Sequence, residues 1–166
     1  AVLDGFTITN GSAVYSGGIH LNNSNVTIND VIVSGNTAVN DGGGIYCSGN
    51  SSPMLSNITI SGNTAGSNGG GIAIISSNPS LENVTVTNNT TSGDGGGIYS
   101  DGSSPIINNS TISMNTAETG GGISVSAESS VYIDNCEISG NSSGGPGGGL
   151  AIQSESNATL NNVLFA

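Results

Sequence analysis

Residues 69–89 read GGGIAIISSNPSLENVTVTNN, and versions of this stretch return along the whole chain. Six glycine-rich blocks each end in an aliphatic residue, and the steps between these residues are 26, 27, 26, 25 and 27. A fixed period of this size is typical of a repeat protein rather than a globule. The closing aliphatic residues are Ile19, Ile45, Ile72, Ile98, Ile123 and Leu150.

Each repeat contains three short runs in which apolar and polar residues alternate, as strands do. In the repeat that opens at Gly69, the apolar positions are Ile72 and Ile74, then Leu81, then Val84 and Val86. Three strands and three turns in this length predict one coil of a parallel β-helix, with equivalent strands about 4.7–4.9 Å apart. The crossover rule makes the winding right-handed. The sequence therefore predicts an all-β, single-domain, right-handed parallel β-helix over residues 1–166, with about six coils and three parallel sheets.

Equivalent apolar positions are expected to stack into three inward columns. They run from Leu3 to Leu160, from Phe6 to Val163 and from Ile8 to Phe165. Two asparagine columns occupy the turns and predict ladders of amide hydrogen bonds. The first contains Asn36, Asn63, Asn89, Asn115 and Asn141, and the second contains Asn57, Asn83, Asn109, Asn135 and Asn162. The glycine blocks are expected where the backbone turns tightly with positive φ.

The charge restricts the partners. The chain has no Lys or Arg and 11 acidic residues, giving a formal net charge of −11. Nucleic acid and anionic membranes are therefore unsuitable, because nothing can neutralise phosphate. Direct membrane insertion is not expected either, since no apolar run is long enough to span a bilayer. Divalent cations, neutral glycans and other proteins remain as partners.

The motif pattern resembles a known group of surface proteins. The Gly-Gly-Gly-Ile blocks followed by residues 60–63 (ISGN) or 138–141 (ISGN) resemble the repeats of polymorphic outer-membrane proteins. Residues 3–11 (LDGFTITNG) are similar to segments of bacterial and archaeal right-handed parallel β-helix surface proteins. The repeats of that family contain Gly-Gly-Ala-Ile and Phe-x-x-Asn motifs. This chain has Gly in place of the Ala of the first motif and Ile or Val in place of the Phe of the second. The resemblance implies extracellular or cell-surface display, adhesion or scaffolding, and no single activity.

Many parallel β-helix proteins are polysaccharide lyases or hydrolases, but this sequence predicts no enzyme. Lyase chemistry on uronates uses Lys or Arg, and hydrolases of this fold need carboxylates grouped on one face. His20 is the only imidazole and has no Ser or Cys placed to form a triad. The aspartates scatter over different columns: Asp4, Asp30, Asp41, Asp94, Asp101 and Asp134.

The sequence predicts no cofactor, with Ca²⁺ as the one possibility. Glu128 and Glu155 share a column on adjacent coils, and Ca²⁺ would relieve their repulsion; the alternative is that both carboxylates point into water. Asp41, Asn68 and Asp94 form a second polar column before the glycine blocks.

The two cysteines are predicted to stay unpaired. Cys47 and Cys136 lie three coils apart, roughly 14 Å by strand spacing. A disulfide needs Cα atoms within about 7 Å. Both are therefore expected to be small buried residues.

Three outward features suggest binding. Thr-x-Thr and Thr-x-Ser runs on the third predicted strand, such as residues 85–87, resemble the ladders of ice-binding proteins, although ordinary β-propensity explains them too. Tyr46 and Tyr99 are expected to face outward, where they could stack on sugar rings; the alternative, which the sequence favours, is that both are simple surface aromatics. Asn25 and Asn157 begin Asn-x-Thr sequons and are candidates for glycosylation.

The favoured function is a non-catalytic extracellular or cell-surface structural protein that assembles head to tail into a filament. The first and last repeats start and stop at the same phase, so copies could continue the columns across the contact. A segment cut from a longer β-helix would have the same ends and is an equal alternative. The assembly ends are Leu3, Phe6 and Ile8 on one side and Leu160, Val163 and Phe165 on the other. The alternative is an adhesin or glycan-binding segment of a larger surface protein, with ice binding as a weaker third.

Overall fold

The computed structural model describes residues 1–166, which form strands joined by turns and short connections. The chain winds through six complete coils and begins a seventh. Each complete coil contributes one strand to each of four parallel sheets, numbered here 1 to 4 in the order the chain visits them. Neighbouring strands in every sheet come from consecutive coils.

The strand bounds are as follows. Sheet 1 contains Val2–Asp4, Thr27–Asn29, Met54–Ser56, Ser80–Glu82, Ile106–Asn108, Ser130–Asp134 and Asn157–Asn161. Sheet 2 contains Thr7–Thr9, Ile32–Ser34, Thr59–Ser61, Thr85–Thr87, Thr111–Ser113, Glu137–Ser139 and Leu164–Phe165. Sheet 3 contains Ser12–Ala13, Thr37–Ala38, Thr64–Ala65, Thr90–Thr91, Thr116–Ala117 and Ser142–Ser143. Sheet 4 contains Ile19–Asn22, Ile45–Ser48, Ile72–Ile75, Ile98–Asp101, Ile123–Ser126 and Leu150–Ile152.

The β-helix prediction is confirmed, but its count of three sheets was one short. Sheets 1, 2 and 4 are the predicted ones. Sheet 3 was missed because each of its strands has only two residues, with one inward position that is usually alanine. Two residues cannot display an alternating pattern, although Ala38, Ala65 and Ala117 are all buried.

The core is a continuous stack of aliphatic side chains inside the coil. Twenty-three buried residues form one hydrophobic cluster along the axis. Leu55 pairs in register with Ile28 on one side and Leu81 on the other, and all three are buried. Burying each such side chain contributes roughly 1.5–3 kcal/mol. The inward columns therefore supply the main stabilisation of the fold.

The first asparagine column forms the predicted ladder at the corner between sheets 2 and 3. The side-chain amide of Asn63 donates to Oδ1 of Asn89 at 2.9 Å and to the carbonyl of Val33 at 3.0 Å. The backbone N–H of Asn63 donates to the same Oδ1 at 3.0 Å. Asn36, Asn115 and Asn141 continue this pattern. Each amide thus satisfies backbone groups that the turn would otherwise leave unpaired.

The second asparagine column has a different role from the predicted ladder. Its members are exposed and all have positive φ, as Asn83 does at 57°. Asn83 donates to Asn57 at 2.7 Å, but Asn109 donates instead to the carboxylate of Glu82 at 2.6 Å. Asparagine tolerates the left-handed region better than most residues. This column therefore shapes the corner between sheets 1 and 2 and stacks only in part.

A serine ladder at the turn between sheets 4 and 1 was not predicted. The backbone N–H of Ser51 donates to Oγ of Ser77 at 3.1 Å, and the N–H of Ser77 donates to Oγ of Ser103 at 3.0 Å. The signal in the sequence is a serine that recurs at intervals of 26 or 27. The column contains Ser24, Ser51, Ser77, Ser103, Ser129 and Ser156.

The glycine blocks serve two purposes, of which the prediction named only the first. The leading glycine of a block, such as Gly69, has positive φ. The second, Gly70, does not, but a Cβ there would lie 2.6 Å from the carbonyl oxygens of Thr90 and Gly96. Gly71 is similarly close to Gly97 at 2.6 Å. Two of the three glycines are therefore required by close backbone packing between coils.

Candidate functional site

The predicted assembly ends lie on the two end faces of the coil. Phe6 is 55% exposed, Leu160 40% and Phe165 47%, while Leu3, Ile8 and Val163 are half-buried. Leu3 and Leu160 terminate the same inward column of sheet 1. The strands of these coils are the outermost of their sheets, so one side of each has no strand partner in the structure.

The outward face of sheet 4 is largely covered, unlike the outward faces of the other sheets. The glycine-rich loop of each coil folds back over it: a Cβ on Gly69 would lie 2.7 Å from Cβ of Ala73. The outward column of this sheet contains His20, Tyr46, Ala73, Tyr99, Ser124 and Ala151. All but the first two are buried.

The expectation that Tyr99 faces solvent was therefore wrong. Its side chain is only 9% exposed, and its hydroxyl donates to Oδ2 of Asp101 at 2.9 Å. The same hydroxyl accepts a hydrogen bond from Oγ of Ser126 at 3.1 Å. Burial raises the pKa of Tyr99 to about 12. The alternating pattern places Tyr99 on the outward side of its strand. Because the glycine-rich loop covers that side, Tyr99 is a packed structural residue.

Tyr46 instead belongs to an aromatic cluster on the first two coils. Its ring centroid lies 5.4 Å from that of Tyr15, with the planes tilted by 40°. The ring of His20 lies 5.1 Å from that of Tyr46, edge to face. Burial, with the nearby Asp41 carboxylate as a second cause, raises the pKa of the Tyr46 hydroxyl. Tyr15 was not predicted, because it lies in the loop before the first glycine block, where no strand pattern marks it.

Asp41 and its column are held by hydrogen bonds between coils. Oδ1 of Asp41 accepts from the backbone N–H of Asn68 at 3.0 Å and from its side-chain amide at 3.1 Å. Oδ1 of Asn68 in turn accepts from the N–H of Asp94 at 3.0 Å. The column predicted before the glycine blocks is therefore present, and its polar groups stabilise the loops.

The predicted calcium ligands lie on exposed turns of adjacent coils. Glu128 and Glu155 both have positive φ, 59° and 57°. The turns stack directly, since the N–H of Glu128 donates to the carbonyl of Ser154 at 3.0 Å. The structure has no group of three or more His, Cys, Asp and Glu side chains placed to hold a metal ion. Two carboxylates alone do not supply the six to eight oxygens that Ca²⁺ takes, and this site stays a prediction.

The sequon asparagines Asn25 and Asn157 are both exposed. Oδ1 of Asn25 accepts from the backbone N–H of Ser52 at 2.7 Å, so this amide also links two coils. Asn157 is the first residue of the last strand of sheet 1.

The outward hydroxyl ladder on sheet 2 is present. Thr59, Thr85 and Thr111 pair in register on three consecutive coils. A further exposed threonine column, missed with sheet 3 itself, contains Thr37, Thr64, Thr90 and Thr116. Ice binding remains an untested interpretation of these columns.

Both cysteines are free and buried, as predicted. Burial raises the pKa of the Cys47 thiol from 9.0 to about 12, and burial also raises that of Cys136. Neither thiol is suited to nucleophilic or redox chemistry, because the thiolate is the reactive form.

The structure contains no helix with the length and hydropathy needed to cross a membrane. No pocket is found on its surface.

The comparisons with known proteins agree with the architecture. The family model of the right-handed β-helix region matches residues 1–165. Comparison with curated proteins and with solved structures finds no match. Since the family match and the four-sheet coil both extend along almost the whole sequence, the chain belongs to the right-handed β-helix family.

Proposed function

We propose that this chain is a non-catalytic structural rod of an extracellular or cell-surface protein, and that its end faces stack head to tail with further copies. The observation that carries the proposal is the regularity of the coil. Consecutive coils pair in register in all four sheets, and the same pairing would join the last coil of one copy to the first coil of another. Strand edges template such pairing with another chain.

The register supports continuation across the contact. The first strand of sheet 1 and its last strand present Leu3 and Leu160 at the same column position. A copy docked end to end would therefore continue the apolar column and the backbone ladder together. The contact joins two different surfaces, so it propagates as an open filament unless the rotation closes a ring.

The carboxylates give no support for a catalytic role. Asp4 lies on sheet 1, whereas Asp41 and Asp94 lie two coils apart in the loops before sheet 4, and Asp41 accepts its hydrogen bonds from Asn68. The chain has no Lys or Arg to hold an acidic sugar. A structural role is supported by the regular polar wall of the coil and its packed core.

The test compares one substitution on the end face with the same substitution on the wall. Leu160→Glu places a charge on the end of the inward column, whereas Ile106→Glu alters a wall residue of similar exposure, 44% against 40%. We expect the wild-type chain and Ile106→Glu to form filaments at high concentration by light scattering and negative-stain microscopy, and Leu160→Glu to remain monomeric. A wild-type chain that stays monomeric at every concentration would refute head-to-tail assembly.

A further inference from the structure

The strongest unassigned feature of the wall is the aromatic cluster of Tyr15, His20 and Tyr46. The ring centroids of Tyr15 and Tyr46 are 5.4 Å apart and those of His20 and Tyr46 are 5.1 Å apart, with the planes inclined by 40° and 66°. The three rings form one contiguous aromatic surface, which we call the platform. Tyr15 is 44% exposed and His20 is also exposed. Three of the chain's few ring side chains thus meet at one place on the surface.

The backbone holds this platform in position. Tyr46 pairs in register with His20 on neighbouring strands of sheet 4. Tyr15 precedes Ser16, whose N–H donates to the carbonyl of Asp41 at 3.1 Å and whose hydroxyl donates to the carbonyl of Ile19 at 2.5 Å. A ligand would therefore meet rings that are already placed, which reduces the entropy lost on binding.

Polar groups with free hydrogen-bonding capacity surround the rings. The hydroxyls of Tyr15 and Tyr46 make no hydrogen bond within the protein, whereas that of Tyr99 is engaged twice. Asp41, which lies close enough to Tyr46 to raise its pKa, uses only Oδ1 in bonds to Asn68. The platform is thus bordered by two donors and one free carboxylate oxygen.

Two exposed aliphatic residues lie near Tyr15 in the chain and on the neighbouring coil. Val14 and Val39 lie on neighbouring coils and are 58% and 65% exposed. Val14 directly precedes Tyr15, and its carbonyl accepts from the N–H of Asn40 at 2.8 Å. The combination of flat rings, exposed valines and peripheral hydroxyls matches a ligand with an apolar face and polar edges.

Charge decides the class of ligand. With no Lys or Arg and a net charge of −11, the chain repels phosphates, uronates and sulfated sugars. A cation can also stack over a ring face and is attracted by the net charge, so the experiment includes a cationic probe. An uncharged pyranose uses both the rings and the polar groups around them, because its apolar face stacks on aromatic rings and its hydroxyls bond to the rim.

We propose that Tyr15, His20 and Tyr46 form a binding platform for an uncharged glycan on the wall of the β-helix. Tyr46 is the central stacking residue because it contacts both other rings. Asp41 and the two tyrosine hydroxyls bind the sugar hydroxyls. Tyr15 and His20 lie on the first coil, whose strands are the outermost of their sheets, so the platform borders one of the two end faces.

The experiment is affinity electrophoresis in native gels, where the negative charge of the chain drives its migration. The gels contain hydroxyethylcellulose, β-1,3-glucan, galactomannan or glycol chitin as neutral probes, and chitosan as a cationic one. We expect at least one neutral probe to retard the wild-type chain. Tyr46→Ala and Tyr15→Ala should each weaken that binding about tenfold, and Tyr46→Phe should retain most of it.

Tyr132→Ala is the matched control, since Tyr132 is a remote, 36% exposed tyrosine on sheet 1. Tyr132→Ala should bind the neutral glycan with the affinity of the wild type. For the wild type, titration calorimetry should give the same affinity at low and at high salt, because the ligand is uncharged. The proposal is overturned if none of the four neutral probes retards the chain, or if Tyr132→Ala weakens binding as much as Tyr46→Ala. The proposal would also be overturned if only chitosan retarded the chain and salt abolished that binding. That result would assign the platform to a cationic partner.

Discussion

The side-chain amide of Asn89 donates a hydrogen bond of 3.0 Å to Oδ1 of Asn115, its counterpart on the next coil. The same amide donates to the carbonyl of Ile60 at 2.9 Å, and Oδ1 of Asn89 accepts from the backbone N–H of Asn63 at 3.0 Å. One fully buried side chain therefore connects three coils. Polar groups on both neighbouring coils depend on it.

Replacement of Asn89 by Ala should destabilise the fold strongly. It leaves buried donors and acceptors without partners, at about 1–3 kcal/mol each, so we expect a total loss of about 3 kcal/mol or more in the free energy of unfolding. Urea unfolding followed by circular dichroism measures it. The control is Asn83→Gly, which keeps the positive φ of an exposed corner and should change stability by less than about 0.5 kcal/mol. Equal losses in the two variants would contradict a special role for the buried ladder.

The glycine blocks give a second matched pair. Gly70→Ala places a Cβ 2.6 Å from two backbone oxygens, so the coils must separate and we expect a loss of more than about 3 kcal/mol. Gly62→Ala meets nothing within 4 Å but has a φ of 61°, so it should lose only about 1–2 kcal/mol. Thermal melts of both variants test the order. If Gly62→Ala is the more damaging, conformation rather than close packing governs these blocks.

Alkaline pH should destabilise the protein through Cys47. The thiol pKa is about 12 when folded and 9.0 in its usual state, so only the unfolded chain releases this proton between pH 9.0 and 12. Stability is then unaffected below pH 9.0 and falls as pH rises to 12, by on the order of 4 kcal/mol for this group.

The check is the melting temperature as a function of pH for the wild type and Cys47→Val. Val125 occupies the equivalent inward position of sheet 4 three coils further along, so valine is compatible with this site. The variant should show a distinctly shallower alkaline decline. Identical curves would mean that other groups, Tyr99 among them, account for the whole effect.

The two tyrosines of sheet 4 should respond differently to loss of the hydroxyl. Tyr99→Phe removes bonds to Asp101 and Ser126 in a buried setting and should cost about 1–3 kcal/mol. Tyr46→Phe removes a hydroxyl with no protein partner and should leave stability within about 0.5 kcal/mol of the wild type. Chemical unfolding of both variants measures the contrast, and a larger loss in Tyr46→Phe would reverse our assignment of the two roles.

Replacement of Ser124 should stabilise the protein, unlike the substitutions above. Its side chain is fully buried beneath the loop over sheet 4, and its hydroxyl has no hydrogen-bond partner. Alanine already occupies this column at Ala73 and Ala151. Ser124→Ala should therefore raise the free energy of unfolding by about 1 kcal/mol, since it removes an unsatisfied polar group. A measured decrease would show that Oγ makes a bond that the structure does not contain.

The repeat pattern alone predicts the coil. Its period of 26 or 27 residues set the repeat, and alternation within the runs around Ile72, Leu81 and Val86 identified the inward positions, because residues that stack on copies of themselves leave a periodic signal. The recurring Asn63 column marked a buried corner for the same reason. The unpaired, buried state of Cys47 and Cys136 followed from counting coils.

The roles of residues on the outside of the coil depend on packing that no repeat pattern contains. Sheet 3 is too short for its alternation to show. The glycine block predicts the positive φ of Gly95, but not that the loop turning there packs over Tyr99. Tyr15 and Tyr46 meet because a loop of one coil lies beside a strand of the next. Alternation fixes the side of a strand on which a residue points, but whether that side is covered depends on where the neighbouring loops pack.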